Sequence, residues 1–150
     1  MMNVQKIMPP TYALLSLLLM VGLHLVFPMA QIIGPQWRLA GVLLIGVGLA
    51  MNIVASNVFK TRQTTIKPYE APTVLVTTGF FRLSRNPMYL GGVLLLTGAA
   101  LLLGSLTPFG VIPLFIALLN EGFIKKEERI LAATLGEPYL AYQKQVRRWI

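Results

Sequence analysis

The residues able to do chemistry in this 150-residue chain fall in two runs of its C-terminal half. The first is Leu75-Val76-Thr77-Thr78-Gly79-Phe80-Phe81-Arg82-Leu83-Ser84-Arg85-Asn86-Pro87-Met88-Tyr89-Leu90-Gly91. The second opens on Glu127-Glu128-Arg129-Ile130-Leu131 and continues through Leu135-Gly136-Glu137-Pro138-Tyr139-Leu140-Ala141-Tyr142 to Val146-Arg147-Arg148. Arg82, Arg85, Asn86 and Tyr89 stand at the start of one apolar stretch, and Lys125 and Lys126 stand at the end of the next. If a turn brings those ends together, cations gather beside apolar walls such as Leu90, Leu94 and Phe123, which suits an amphipathic ligand because each buried methylene contributes about 0.8 kcal/mol. The chain has no cysteine and a single histidine, His24, so disulfides, thiolate nucleophiles and multi-histidine or cysteine metal sites are excluded. His24 sits in an apolar run and reads as a polar residue facing another helix.

The elements that must position these residues are written in the hydropathy. The chain is 55% hydrophobic and 12% charged, with mean hydropathy +0.69. A soluble domain carries about 25% charged residues, so the bilayer is the solvent this composition fits. Four apolar segments, roughly 12–27, 39–58, 88–103 and 106–124, approach the roughly 20 residues that cross a hydrocarbon core. The expectation is an all-α integral membrane protein forming a single domain over 1–150, with about four transmembrane helices. Gly104-Ser105-Leu106-Thr107-Pro108 would close the last two into a helical hairpin. The loop Pro28–Trp37 and the Gly104–Pro108 turn carry no Lys or Arg. Lys60, Arg62, Lys67, Arg82 and Arg85 precede the third segment, and Lys125, Lys126, Arg129, Lys144, Arg147 and Arg148 follow the fourth. With Lys6 these put both termini in the cytoplasm by the positive-inside rule, and the expected location is the cytoplasmic (inner) membrane. The net charge of +8 therefore reads as a topology signal and as contacts to anionic lipid, not as a nucleic-acid face. Lys6, the first apolar run and Ala30 loosely resemble a secretory signal, but prolines and a histidine interrupt that pattern.

Between the second and third segments lie Thr61, Thr64, Thr65, Pro68 and Pro72, then Val74-Leu75-Val76 and Gly79, a loop whose Tyr69, Leu75, Phe80 and Phe81 argue for packing. The tail is amphipathic: Glu127, Leu131 and Leu135 share a helix face, Gly136 can stop that helix, and Pro138 can open the next. Tyr139, Tyr142 and Val146 share another face, and Arg147, Arg148 and Trp149 stand where an interfacial anchor would. On that reading the tail is a membrane-surface helix and its aromatics form an interfacial belt. Pro87 and Gly91 could simply start and tighten a membrane helix, and Arg82 and Arg85 could be topology charges. Gly41, Gly46, Gly48 and Ala50 read as positions where helices pack closely.

Arg-Asn-Pro-x-Tyr-x-Gly at 85–91, Glu-Glu-x-x-Leu at 127–131 and Gly-x-x-Tyr-x-x-Tyr at 136–142, in this order across one predicted hairpin, resemble the isoprenylcysteine carboxyl methyltransferase family, including its small bacterial members and phospholipid N-methyltransferase relatives. The resemblance covers about the last eighty residues. It implies a polytopic helical enzyme that uses S-adenosylmethionine without a Rossmann domain, and the chain indeed has no Gly-x-Gly-x-x-Gly loop. It implies a cofactor region at 73–150. There Val74, Leu75 and Val76 match the strand-like segment that cradles the cofactor, and Phe81 and Tyr89 the aromatic positions beside it. Asn86, Pro87 and Met88 complete the contact run, and Glu127 matches the cofactor-binding acid. Two departures stand out. Asn86 replaces the histidine usual in eukaryotic members, and Phe123 replaces the arginine that meets the substrate, leaving Arg85, Lys125 and Lys126 to orient it.

The expected function is therefore S-adenosylmethionine-dependent methylation of a lipophilic small molecule at the cytoplasmic membrane face, the partners being that molecule and the bilayer, with no nucleic acid. The acceptor stays open between carboxyl, amine and thiol: a carboxylate needs a cation to orient it, whereas an ammonium must lose a proton, for which Glu121 and Glu128 are the nearby bases. The alternatives are a non-enzymatic membrane scaffold of the same fold and a small transporter. The absence of Asp or Glu from the first three spans weighs against proton-coupled transport.

Overall fold

The computed structural model of the protein describes residues 8–65 and 70–150, so Lys6, Lys67, Pro68 and Tyr69 lie outside the described residues. The described residues form six α-helices: α1 (Pro9–Val26), α2 (Arg38–Thr61), α3 (Pro87–Leu103), α4 (Val111–Leu119), α5 (Lys125–Leu135) and α6 (Glu137–Gln145). Prolines open several of them, at the first turns of α1, α3 and α6, where a missing N–H costs nothing. Three stretches, Pro9–Val26, Pro35–Thr61 and Thr107–Leu135, are long and apolar enough to cross a membrane. The expected third span, α3, is apolar but has only 17 residues, because Gly104 takes a left-handed φ of 81° and caps it, its N–H donating to the Ala100 carbonyl at 2.9 Å.

The tail does not begin as a separate helix. α4 runs through a π-helical turn at Asn120–Ile124 directly into α5, since no proline stands between Pro113 and Pro138 and Gly136 is the next stop. The lipid-crossing part of this run ends at Ile124, because the five charged residues of 125–129 have no place in hydrocarbon.

α3 is the centre of the bundle. α2 packs antiparallel along it through paired glycines, Gly41 against Gly98 and Gly48 against Gly91. A Cβ added at Gly48 would stand 2.5 Å from the Gly91 carbonyl oxygen, and one at Gly98 would stand 2.5 Å from that of Gly41. The backbones thus touch, as in small-residue membrane packing. Gly46 and Ala50 take no part, against the sequence expectation: both are exposed, and nothing lies within 4 Å of a Cβ at Gly46. α1 packs on α3, on α4 and on the turn before α4, with Met20, Leu96, Phe115 and Leu119 among the core residues, and it makes little contact with α2.

The two ends of the bundle differ. At one end the 28–37 loop meets the turn after α3: Ile32 N–H donates to the Gly104 carbonyl at 3.0 Å, Leu106 N–H to Ala30 at 3.0 Å, and His24 Nδ1 pairs with Ser105 Oγ at 2.7 Å. His24 thus faces the turn after α3. Exposed Arg38 is the one described Lys or Arg at this end. All five acids of the chain follow the exit of α2 or α4 at the other end. Because the α2–α3 contact is backbone to backbone, Gly48→Val should destabilise the fold by about 1–3 kcal/mol, whereas Gly46→Val should change it by less than about 0.5 kcal/mol, read as unfolding in detergent.

Candidate functional site

Pro87 fixes the first turn of α3, and Asn86 before it stays out of the helical region (φ −129°, ψ 56°). This turn carries Tyr89 toward the first turn of α5, where its hydroxyl donates to Glu127 Oε1 at 2.6 Å. The C-terminal tail locks the same loop from behind. Arg85 N–H donates to the Arg147 carbonyl at 3.0 Å, and the Arg148 carbonyl accepts from Asn86 Nδ2 at 3.0 Å and Ser84 Oγ at 3.2 Å. The Arg148 side chain reaches Glu128 through two bonds of 2.9 and 2.6 Å, and Arg85 Nη1 lies 3.0 Å from the same carboxylate. From α6, the buried Tyr142 hydroxyl donates to the Phe81 carbonyl at 2.5 Å, and Tyr139 stands 3.4 Å from Arg85 Nη1. Tyr139 and Tyr142 are therefore buried parts of the site and not members of an exposed interfacial belt.

These contacts enclose one side of a cavity of about 560 Å³, inside the range of about 300–1,000 Å³ that holds small ligands. Val74, Leu75, Val76, Phe81, Asn86, Pro87, Met88, Tyr89 and Glu127 all line it, and so does Arg85. The 74–76 segment is irregular chain, not a strand, with Val76 and Phe81 buried against Ala55 of α2 and the Phe59 ring crossing that of Phe81 edge-on at 5.3 Å. Lys125 and Lys126 are not brought in. Both are exposed, and Lys125 pairs with Glu121 at 2.5 Å and borders a separate open cleft with Arg129 and Arg148. Leu90, Leu94 and Phe123 do not line the cavity either, and Phe123 is buried against Tyr12 and Tyr89. The apolar walls come instead from α1 and α2, at Ala13, Leu14, Leu17 and Leu49, with Leu95 of α3. Glu121 and Glu128, the expected bases, point elsewhere. The lining acids are Glu127 and Glu70, the latter accepting from Thr65 Oγ1 at 2.6 Å. Glu70 and Asn52 were missed because each stands alone in its stretch of sequence, outside any motif.

Burial pushes the Glu127 carboxyl up to about 7; the Tyr89 hydrogen bond offsets part of this, and the neighbouring Glu128 charge adds to it. Glu127 Oε2 has no partner among the described residues, and neither does the buried Arg85 Nε. Burial also raises the Tyr139 and Tyr142 hydroxyls, the latter to about 12, so both remain neutral donors at physiological pH. The arrangement offers one acceptor site for a cation, one donor site for an anion, aromatic and thioether surfaces, and an apolar limb.

A model of the phospholipid methyltransferase family matches residues 37–137, about two thirds of the chain. A relative from Haemophilus influenzae, described only as an uncharacterized protein, is 42% identical over 64 residues, which is 42% of this chain and all of that protein. No solved structure matches.

The Glu128 carboxylate serves both arginines, so Glu128→Gln leaves the nearly buried Arg85 and the partly exposed Arg148 without that anion. Stability should fall by about 2–3 kcal/mol, below the usual cost of breaking a buried pair because Arg148 is a third exposed. Lys125→Ala, at an exposed pair, should change stability by less than about 0.5 kcal/mol in the same unfolding measurement.

Proposed function

This chain belongs to the phospholipid methyltransferase family, a family of membrane methyltransferases, and from that premise we propose that it transfers a methyl group from S-adenosylmethionine to a lipophilic acceptor at the cytoplasmic face of the membrane. The observation that carries this reading is a cavity lined together by Glu127, Arg85 and the whole 86–89 run, open to apolar walls from α1 and α2.

The donor set fits the cofactor. Glu127 Oε2 suits its amino group, and the unpartnered Arg85 Nε suits its carboxylate. Phe81, Met88, Tyr89 and the 74–76 chain supply surfaces for its ring system and sulfonium. When bound, S-adenosylmethionine supplies an activated methyl group on a sulfonium. The protein's part is to fix geometry and exclude water, since in-line transfer depends on positioning. Tyr89 holds the Glu127 carboxylate in place, and Glu128 with Tyr139 holds Arg85.

With Arg85 assigned to the cofactor, the described lining offers no second cation to orient an acceptor carboxylate. This supports an amine or another neutral acceptor over a carboxylate. An ammonium must first lose its proton, and Glu70 is the lining acid left to take it. The acceptor reaches the site from the lipid side, between α1 and α2. Both termini lie in the cytoplasm, a reading supported by the clustering of basic residues at the site end. Tags at both termini should be accessible only from the cytoplasmic side; a tail labelled from outside would reverse the orientation.

Binding of S-adenosylmethionine to the purified protein is the direct test. Losing a charge-assisted hydrogen bond costs about 1.5–3 kcal/mol, so Glu127→Gln should weaken binding roughly 10- to 150-fold. The carboxyl of Glu127 is raised to about 7, so it is neutral below that pH and charged above it. Affinity for the cationic amino group should therefore rise between about pH 6 and 7.5 in the parent and stay flat in Glu127→Gln. No saturable binding to the folded parent would remove the methyltransferase reading.

A further inference from the structure

Away from Glu127, the cavity continues as an apolar limb. Ala13, Leu14 and Leu17 of α1 form one wall, Leu49 of α2 forms the other, and Gly92 and Leu95 of α3 lie between them, with Phe115 close to Gly92. α1 and α2 both lean on α3 and barely touch each other, so this limb lies in the gap between them.

Among the lining residues contributed by α1 and α2, one is polar: Asn52. A polar side chain at this depth is costly unless it is satisfied. Its Nδ2 donates to the Gly48 carbonyl at 2.9 Å. A carbonyl only accepts, so the amide nitrogen must face Gly48 and the side-chain oxygen must face away. No described residue donates to that oxygen. The neighbouring backbone leaves room for the amide: a Cβ at Gly91 would collide with Asn52 Nδ2, and Gly48 brings α2 against α3 at the same level. A role in tying α2 to α3 uses only the nitrogen and leaves the oxygen unexplained.

We propose that Asn52 Oδ1 is the hydrogen-bond acceptor that selects the lipid, favouring an amphiphile whose head carries an N–H or O–H over one that carries only ether or ester oxygens. The proposal rests on the reading of this cavity as a methyltransferase site, whose acceptor the limb would hold. In it the acyl chain lies between α1 and α2, and the head passes Asn52 on its way to Tyr89 and Glu127. The residue is a specificity determinant and takes no part in the chemistry of transfer.

The test uses three probes of one chain length, dodecylamine, dodecanol and dodecyl methyl ether, bound to the full chain and measured by native mass spectrometry. The parent should prefer the two hydrogen-bond donors over the ether by about five- to tenfold, the worth of one net hydrogen bond. Asn52→Leu should lose that preference while binding the ether as before, and Asn52→Ala serves as the second variant if the leucine form does not fold. Membrane partitioning is common to parent and variant and cancels in the comparison. A parent without preference, or a variant that keeps it, overturns the proposal. S-adenosylmethionine binding is measured on the same samples. If the parent shows the probe preference without cofactor binding, the selectivity stands and the methyltransferase reading fails; cofactor binding with no probe preference gives the reverse.

Discussion

One carboxylate, that of Glu128, is shared by Arg85 from the loop before α3 and Arg148 from the C-terminal tail. Most of the site hangs on that arrangement. A buried charge is costly unless it is paired, and breaking such a set is costly because it strands the remaining charges. Arg148, once fixed to Glu128, presents its carbonyl to Asn86 and Ser84. Arg85, fixed to the same group, stands beside Tyr139 with its Nε unpartnered. The tail is therefore a brace that holds the 84–89 run in register with α5. Two guanidiniums on one carboxylate also leave a surplus positive charge beside the cavity, where an anionic group can meet it.

The rest of the fold explains why the cavity has two chemical halves. Glycine contacts press α2 onto α3 with backbone touching backbone, while α1 rests on α3 and the α4 run and barely meets α2. The gap between them opens inside the apolar part of the bundle. The polar half is built from the loop at 70–86, α5 and α6, beyond the point where α4 leaves hydrocarbon. The π-helical turn at Asn120–Ile124 lets α4 continue into α5 without a break, which carries Glu127 straight from the end of a span into the site. α3, opened by Pro87 and capped by Gly104, is the shortest of the apolar segments long enough to approach a span, and α2 and α1 both pack on it.

Much of this was legible from residue type and spacing. The apolar segments marked α1, α2 and the α4 run, and the clustered prolines, glycines and aromatics marked the loop at 74–89 that lines the cavity. Gly136 and Pro138 marked the break between α5 and α6. What could not be read was which way side chains turn. Lys125 and Glu127 stand two residues apart, and on a helix that separation points them to different faces: Glu127 inward, Lys125 to Glu121 outside. Phe123 and Leu90 are apolar and near the site in sequence, yet one is spent on the core and the other lies off the cavity. Tyr139 and Tyr142 have the composition of an interfacial belt, and only the docking of α6 onto Phe81 and Arg85 buries them. Glu70 and Asn52 reach the cavity from stretches with no pattern around them, and α1 supplies a wall for which its sequence offers only apolarity.

If the chain transfers methyl groups as proposed, the cavity bordered by the 74–89 loop, α5 and α6 holds S-adenosylmethionine. Ultraviolet irradiation of the purified protein with radiolabelled S-adenosylmethionine, followed by peptide mapping, tests it most directly. Label is expected on peptides from 74–89 and 127–142 and is removed by excess unlabelled cofactor. Label at the opposite end of the bundle, on 28–37 or 104–110, or label that excess cofactor does not displace, would contradict it.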